Sequence, residues 1–307
     1  MHIGAALEPL LARYAAWLGM NKSEVLLDRD EDPEQVRAIQ IVLRLERGTP
    51  PSWHAALALA ASGCAAVCID PRTEPGGEWH DAVAAYSRGH IRKVTRRGRG
   101  AQWEATADLP GLSLAHDGDT PEAPLTEVRV LVPGLITEVD KRVSKLQVGS
   151  TDIPVDEHSI TVAAPPPLLT PADDDSPDAH ATDELEPEQR FEARARAAQS
   201  PLLTVHVPTE GPAASMTAGK LMAQTGHAGM LAAALLAASD QDELDAWREA
   251  GCPSRVARTP QAEWLDLLAV AGDPVRAWRE HQLLAVRDAG FTEVPPGTVT
   301  VAAQFVR

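Results

Sequence analysis

The sequence predicts an α/β protein of two tandem three-layer α/β/α domains, each with a mixed four-stranded sheet, joined as an intrachain pseudo-dimer. Three observations carry this. The chain has 307 residues, more than one ordinary domain holds. Short alternating segments are interleaved with Ala-rich helical ones on both sides of a Pro- and acid-rich stretch. The same order of elements occurs on either side of that stretch, the signature of an internal repeat.

Residues 1–35 read as an N-terminal helical extension. Leu7, Leu10, Leu11, Tyr14 and Leu18 fall on one helical face, and Glu8 and Arg13 interrupt any apolar core of a signal peptide, so the segment is expected to dock on the fold. Residues 36–150 form the first domain. AIQIVLRL at 38–45 reads as a strand, the run from Ser52 to Asp70 as a helix, and 78–88 as a helix containing Trp79; HIRKVTRR, EVRVLV and SKLQV follow as strands. Residues 151–199 read as a linker. Pro165, Pro166 and Pro167 are followed by Asp173, Asp174, Asp175, Asp178, Asp183, Glu184, Glu186 and Glu188 with no Lys or Arg between them, a composition that buries too little apolar surface to offset ordering entropy. A short helix is expected near 188–198.

Residues 200–307 form the second domain. LLTVHV at 202–207 reads as a strand, 216–238 and 240–250 as helices, SRVART as a strand, and 260–271 as a helix. LLAVRD and TVTVAAQFV read as the last two strands. Across the linker, Gly134 and the Thr-Glu-Val at 137–139 echo Gly290 and the Thr-Glu-Val at 292–294. Aligned on those glycines, Val132 takes the place of Asp288, and Ser52, Trp53 and His54 take the place of the Lys220 region.

Composition narrows the function. The formal charge is −16, which opposes a nucleic-acid grip over the whole surface, yet much of it lies in the linker and leaves room for a local RNA site. DNA and membrane are not expected partners. The most apolar run, at 229–238, is short of the ~20 residues of a membrane span, and a cytoplasmic location is expected. Cys64, Cys68 and Cys252 have neither disulfide nor metal spacing and read as buried thiols. No cofactor or metal is expected, because no His, Asp and Glu set has ligand spacing.

Two stretches carry chemistry. In GKLMAQTGHAGM at 219–230, Lys220 sits in the first turns of a helix, with Gln224 and His227 four and seven residues on along the same face. A helix N-terminus favours a phosphate or a developing oxyanion. In DAGFTEVPPGTVTVAA at 288–303, Asp288 ends an apolar strand, where α/β proteins place ligands, and a hairpin closed at Pro295-Pro296-Gly297 brings Thr300 back towards Thr292. Each residue also has an ordinary reading: a solvated lysine, a helix-packing histidine, an Asx turn, strand-forming threonines.

Together the two stretches resemble the archaeal/eukaryotic-type, or type II, peptidyl-tRNA hydrolases, over about 105 residues. The resemblance implies a catalytic role for Lys220, Asp288, Thr292 and Thr300, and a homodimer-like assembly that a fused pair reproduces within one monomeric chain. The family's Arg within the Asp-Ala-Gly run is Phe291 here, which removes a cation. It implies a metal-independent esterase acting on peptidyl-tRNA. No nucleophilic Ser or Cys motif is present, so water attacks: Asp288 orients or deprotonates it, Lys220 stabilises the oxyanion or supports the Asp288 carboxylate, and the threonines position water and substrate. Gln224 and His227 are candidate substrate contacts. Arg88, Arg92, Lys93, Arg96, Arg97 and Arg99 form an acid-free basic run, read as a phosphate-binding face or as a charge-protected sheet edge. The rival function is a non-catalytic tRNA- or partner-binding scaffold.

Overall fold

The computed structural model of the chain describes residues 3–19, 32, 34–117, 125–156, 161–162, 201–288 and 293–306. It is α/β with two mixed sheets. The first is built from β1 (Arg37–Arg44), β2 (Arg92–Gly98), β3 (Gly111–His116) and β4 (Thr126–Leu131) in the order β2-β1-β4-β3, with the short β5 (Gly134–Leu135) pairing on β1. The second contains β6 (Thr161–Val162), β7 (Leu202–Pro208), β8 (Ser254–Thr259), β9 (Leu283–Arg287) and β10 (Val299–Val306) in the order β6-β8-β7-β10-β9. The senses agree as well as the order: β1–β2 and β7–β8 are parallel, and the other pairs along both paths are antiparallel.

Among the described residues each sheet therefore has five strands where the sequence predicts four. The additions, β5 and β6, are two residues long, too short for a period-two alternation to register. A second correction concerns the first half's strands. GLSLAH at 111–116 is a strand that the sequence reading passed over, whereas SKLQV holds the end of a one-turn helix, Lys141–Ser144, and a single bridge from Gln147 to Arg97. The topological partner of β9 is thus β3, and that of β10 is β4. The Gly134 echo of Gly290 follows the wrong strand and is coincidental. Asp117, which follows β3 as Asp288 follows β9, replaces Val132 as the counterpart of Asp288.

The helices are α1 (Glu8–Gly19), α2 (Trp53–Ile69), α3 (His80–Arg88), α4 (Ala101–Glu104), α5 (Lys141–Ser144), α6 (Ala218–Ser239), α7 (Gln241–Glu249), α8 (Gln261–Ala271) and α9 (Pro274–His281). The two long ones begin on side-chain caps. Ser52 Oγ accepts from Ala55 N at 3.1 Å and Thr217 Oγ1 from Lys220 N at 3.3 Å, each satisfying one of the donors a helix start leaves open. Aligning these caps makes Ala55 the counterpart of Lys220, in place of the Ser52–His54 region that the sequence reading chose.

Layering also differs from two separate three-layer units. Helices α2 and α6 lie between the two sheets, and each touches both: α2 packs on β3 and β4 and also on β6 and β8, while α6 packs on β9 and β10 and also on β2. One contiguous cluster of buried side chains consequently runs through both halves. Every residue of α2 except Ala66 is buried, and on α6 only Lys220, His227, Leu235, Ala238 and Ser239 escape burial. The outer face of the second sheet is covered by α8 and α9 through Trp264, Ala271 and Ala277, whereas the outer face of the first carries a small cluster of Val42, Trp103 and Leu146. Helix α6, at 22 residues, is long and apolar enough to cross a membrane, but its most apolar stretch is 83% buried inside the fold. An all-round apolar helix is what a core position between two sheets requires.

The helix pair approaches closely because its contact residues are small. A Cβ on Gly229 would lie 2.1 Å from the Ala61 carbonyl oxygen, and one on Gly226 would lie 2.8 Å from Cys64 Sγ. With the caps aligned these two contacts are counterparts, Gly226 answering to Ala61 and Gly229 to Cys64, as in a self-complementary interface. Thr225 Oγ1 donates to Leu57 O at 2.8 Å beside them. The three cysteines are free and buried, and burial pushes the Cys64 thiol up to about 11 and Cys68 to about 12.

Tyr14 and Leu10 of α1 are buried, and the Ala285 amide donates to Tyr14 Oη at 2.8 Å. The first residues after 150 are docked too: Thr151 and Ile153 are buried, Asp156 Oδ1 accepts from His54 N at 3.3 Å, and β6 extends the second sheet. The acidic run at 173–188 and the helix expected near 188–198 lie outside the described residues.

Gly229→Ala should destabilise the fold. In an exposed helix this change gains about 1 kcal/mol, but here the methyl meets backbone, so overpacking of about 1–3 kcal/mol should dominate. Denaturant melts should show that loss, while Gly134→Ala, with nothing within 4 Å, should leave the midpoint almost unchanged.

Candidate active site

Strand β9 delivers Asp288 to the sheet end, where the backbone turns: the Asp288 amide donates to Thr298 O and the Gly297 amide to Asp288 O, both at 2.8 Å. Gly297 takes a φ of 81°, a conformation that glycine adopts without penalty. The register between β9 and β10 slips between Val299 and Val301, a bulge of the kind that re-aims a side chain. Thr300 lies at that slip, fully buried, and donates to Gln224 Oε1 at 2.7 Å.

That hydrogen bond orients the Gln224 amide. Its Nε2 donates to Asp288 Oδ2 at 2.7 Å, and Lys220 Nζ donates to the same oxygen at 2.6 Å. The opposite amide orientation would point a carbonyl oxygen at a carboxylate, so the network has one consistent sense. Both donors come from α6, one turn apart; their shared acceptor, Asp288, follows β9, and Thr300, which donates to Gln224, lies on β10. The carboxylate and Gln224 are almost completely buried, and the Lys220 side chain is 14% exposed.

The start of α6 is tied to the hairpin as well. Glu293 accepts from Thr217 N and from Thr217 Oγ1, each at 2.7 Å, placing a carboxylate where the helix dipole favours one. Glu293 was not a sequence candidate; its position five residues after Asp288 in a turn was the available signal.

These groups open on a cavity of about 400 Å³ that both halves build. Lys220, Gln224, His227, Arg287 and Asp288 line one side. His90, Ile91, Arg92, Lys93 and Thr95 of the first half line another, and Leu10, Arg13 and Tyr14 of α1 close it. Of the sequence candidates, Lys220, Gln224, His227, Asp288 and Thr300 are thus brought together, while Thr292 and the neighbouring Phe291 lie outside the described residues. The contribution of α1 was invisible in the sequence, because a docking helix announces its apolar face but not its destination.

The basic run divides. β2 is an edge strand, and its alternation sends successive side chains to opposite faces. Arg92 and Lys93 reach the cavity. Arg96 donates to Gln40 Oε1 at 2.8 Å and to Leu146 O at 3.0 Å, and Arg97 bonds Gln147 through side chain and backbone. Arg88 and Arg99 are exposed at either end. Of the several cations that alternation was expected to place on one phosphate-facing surface, Arg92 and Lys93 therefore line the cavity while Arg96 and Arg97 bond within the fold.

Lys93 is buried. Its ammonium lies 3.2 Å from Tyr86 Oη, 3.2 Å from His227 Nδ1 and 3.6 Å from Met230 Sδ. Burial pushes its pKa down, opposed by the nearby Cys64 and Cys68 thiols. The His227 ring is held well below its ordinary value, first by burial and then by the charges of Lys93 and Lys220. His227 is therefore a neutral imidazole between two cations. Among the described residues no group of three or more His, Cys, Asp or Glu side chains could hold a metal ion.

Residues 212–305 match the family model described as peptidyl-tRNA hydrolase PTH2. The family resemblance of the C-terminal region is thereby borne out, and the match contains Lys220, Gln224, His227, Asp288 and Thr300. No solved structure matches the chain.

Thr300→Val should cost about 1–3 kcal/mol of stability, because it removes the donor to a buried amide oxygen while keeping the shape. Equilibrium denaturation measures it. A null effect would mean that Thr300 does not hold the Gln224 amide.

Proposed function

We propose that the protein hydrolyses the ester bond of peptidyl-tRNA, releasing the peptide and recycling the tRNA. The observation that carries this is the network of Lys220, Gln224 and Asp288 on a cavity wall, held from behind by Thr300, inside the region that matches a family of peptidyl-tRNA hydrolases. In this reading Asp288 orients water and takes its proton as the water attacks the acyl carbon. Lys220, at the positive end of α6, stabilises the oxyanion, and collapse of the tetrahedral species expels the ribose oxygen, to which Asp288 returns the proton. Gln224 holds the carboxylate in place, and Thr292 contributes a further hydroxyl.

The chain acts as an intrachain pseudo-dimer with one working site, in a monomer of the cytoplasm. Support comes from the matching strand orders and the reciprocal Ala61–Gly229 and Cys64–Gly226 contacts. The first half keeps Asp117 and Thr126 at positions like those of Asp288 and Thr300 but has Ala55 for Lys220, so it lacks the oxyanion-stabilising charge and works as a wall of the other half's site. Residues 1–35 serve as a docking extension, 36–150 as the degenerate domain, and the Pro- and acid-rich stretch within 151–199 as a tether to the catalytic domain of 200–307. A non-catalytic tRNA-binding scaffold is the second reading, favoured by Phe291 in place of the family's Arg.

Asp288→Asn and Lys220→Ala should each lower release of labelled N-acyl-amino acid from tRNA by on the order of 100-fold or more while the protein stays folded. Wild-type protein that binds this tRNA without releasing the label would support the scaffold instead. For the basic strand, Arg92 is the cation to test, since it lines the cavity. Arg92→Ala should weaken tRNA binding and flatten the log–log salt dependence by roughly 0.7–0.9, with a smaller effect on turnover at saturation. An unchanged slope would remove Arg92 from the phosphate contacts.

A further inference from the structure

Lys93 enters the active-site cavity from the first half and stops short of Lys220 and Asp288; the group it meets is His227. An ammonium has three N–H donors and no acceptor. Its three contacts are Tyr86 Oη, Met230 Sδ and His227 Nδ1. The Tyr86 hydroxyl spends its own proton on Arg92 O at 2.8 Å, so towards Lys93 its oxygen accepts. A thioether sulfur carries lone pairs only. The third N–H falls to His227 Nδ1, which must then be the unprotonated nitrogen. Three donors meet three acceptors, with no carboxylate among them.

We propose that Lys93 is a positioning residue of the active site: it fixes His227 as the tautomer with hydrogen on Nε2, so that the ring presents an N–H donor to the substrate's acyl or phosphate oxygen in the cavity. The substrate named here rests on the ester-hydrolysis reading, whereas the tautomer follows from the contacts of a protonated Lys93. His227 lies seven residues beyond Lys220 on α6 and lines the same cavity. Nδ1 is occupied by Lys93, which leaves Nε2 as the ring nitrogen for a ligand. A donor held in a known orientation costs nothing to reorganise when charge develops on the oxygen it faces. The arrangement also explains why the second half's site needs the first. The lysine that sets its histidine comes from β2, across the halves, and α6 meets β2 directly.

The lysine fits this role in a way a surface cation would not. Its aliphatic stem passes against α6, where a Cβ on Gly226 would come within 3.1 Å of Lys93 Cδ. The glycine therefore makes the channel through which the ammonium arrives. Tyr86 holds the other side, with Lys93 Nζ 5.5 Å from its ring centroid.

The test is nitrogen NMR of the full chain labelled in histidine, with the His227 signal assigned by its loss in His227→Asn. In the wild-type protein at neutral pH, two-bond proton correlations should show hydrogen on Nε2 and a bare Nδ1. Lys93→Met, which keeps length and apolar bulk, should turn that single tautomer into a mixture and lower kcat for N-acyl-aminoacyl-tRNA by roughly 10- to 100-fold, the range typical for removal of a partner that orients a functional histidine. Hydrogen on Nδ1 in the wild type would overturn the proposal, even if the substituted protein does not fold. So would an unchanged tautomer in Lys93→Met, or a changed tautomer with an unchanged kcat. If the wild type releases no peptide from tRNA, the ester-hydrolase reading fails, yet the wild-type tautomer still decides whether Lys93 sets the ring.

Discussion

The contact between α2 and α6 is the constraint on which the other features rest. Two helices that are apolar on nearly every face can be buried only if something covers every face, and two mixed sheets, one on each side, do so. Covering alone would allow many spacings. The close approach at Gly229 and Gly226 selects one, because backbone then touches backbone oxygen and thiol with no side chain between them. At that spacing α6 reaches β2 and α2 reaches β8, and the two halves close over one core. A Leu at either glycine would hold the helices apart and open the cavity between β2 and β9.

Much of this was legible in the sequence, and what was missed shares a cause. Long elements with a clear period, such as β1, α2, α6, α7, β8 and β10, fall within about two residues of where pattern placed them. The residues Lys220, Gln224, Asp288 and Thr300 were visible because two stretches distant in sequence each carried a dense set of functional types. By contrast, β3 was missed: GLSLAH is short, begins with glycine and is half exposed, so its alternation is weak. That omission shifted the internal alignment by one strand and produced a false counterpart for Asp288. Short motif echoes are weaker evidence than strand order, since a strand's place is fixed by hydrogen-bonded neighbours and a tripeptide's is not. The basic run shows a related limit of pattern. Alternation tells which residues share a face, but what that face meets is a tertiary fact: Gln40, Leu146 and Gln147 absorbed two of the arginines.

Charge is distributed in a way that composition hides. The chain is strongly acidic overall, yet the cavity is lined by Arg13, Arg92, Lys93, Lys220 and Arg287 against Asp288 and Glu293. Both acids are engaged with α6, Asp288 through Lys220 and Gln224, and Glu293 through the Thr217 cap. The local field is therefore set mainly by cations in a partly desolvated space, where each charge acts more strongly than it would in water. A cationic cavity in an acidic chain concentrates the positive field at one place.

Unequal halves follow from the geometry of a shared site. In a symmetric pair each unit would lend a strand like β2 to the other's cavity and receive one in return. Here the lending runs one way: the first half supplies Lys93 and Arg92, whereas its own counterpart of Lys220 is Ala55. In the proposed reading a half without that lysine is released from the chemistry, and its helix start is free to take other partners. It has done so, for His54 at the head of α2 is bonded by Asp156 from the segment that leaves the domain. That same segment places Thr151 against Gly219 at the start of α6, so close that a Cβ there would meet its hydroxyl at 2.2 Å. One short stretch of chain thus seals the helix that carries Ala55 and buttresses the helix that carries Lys220.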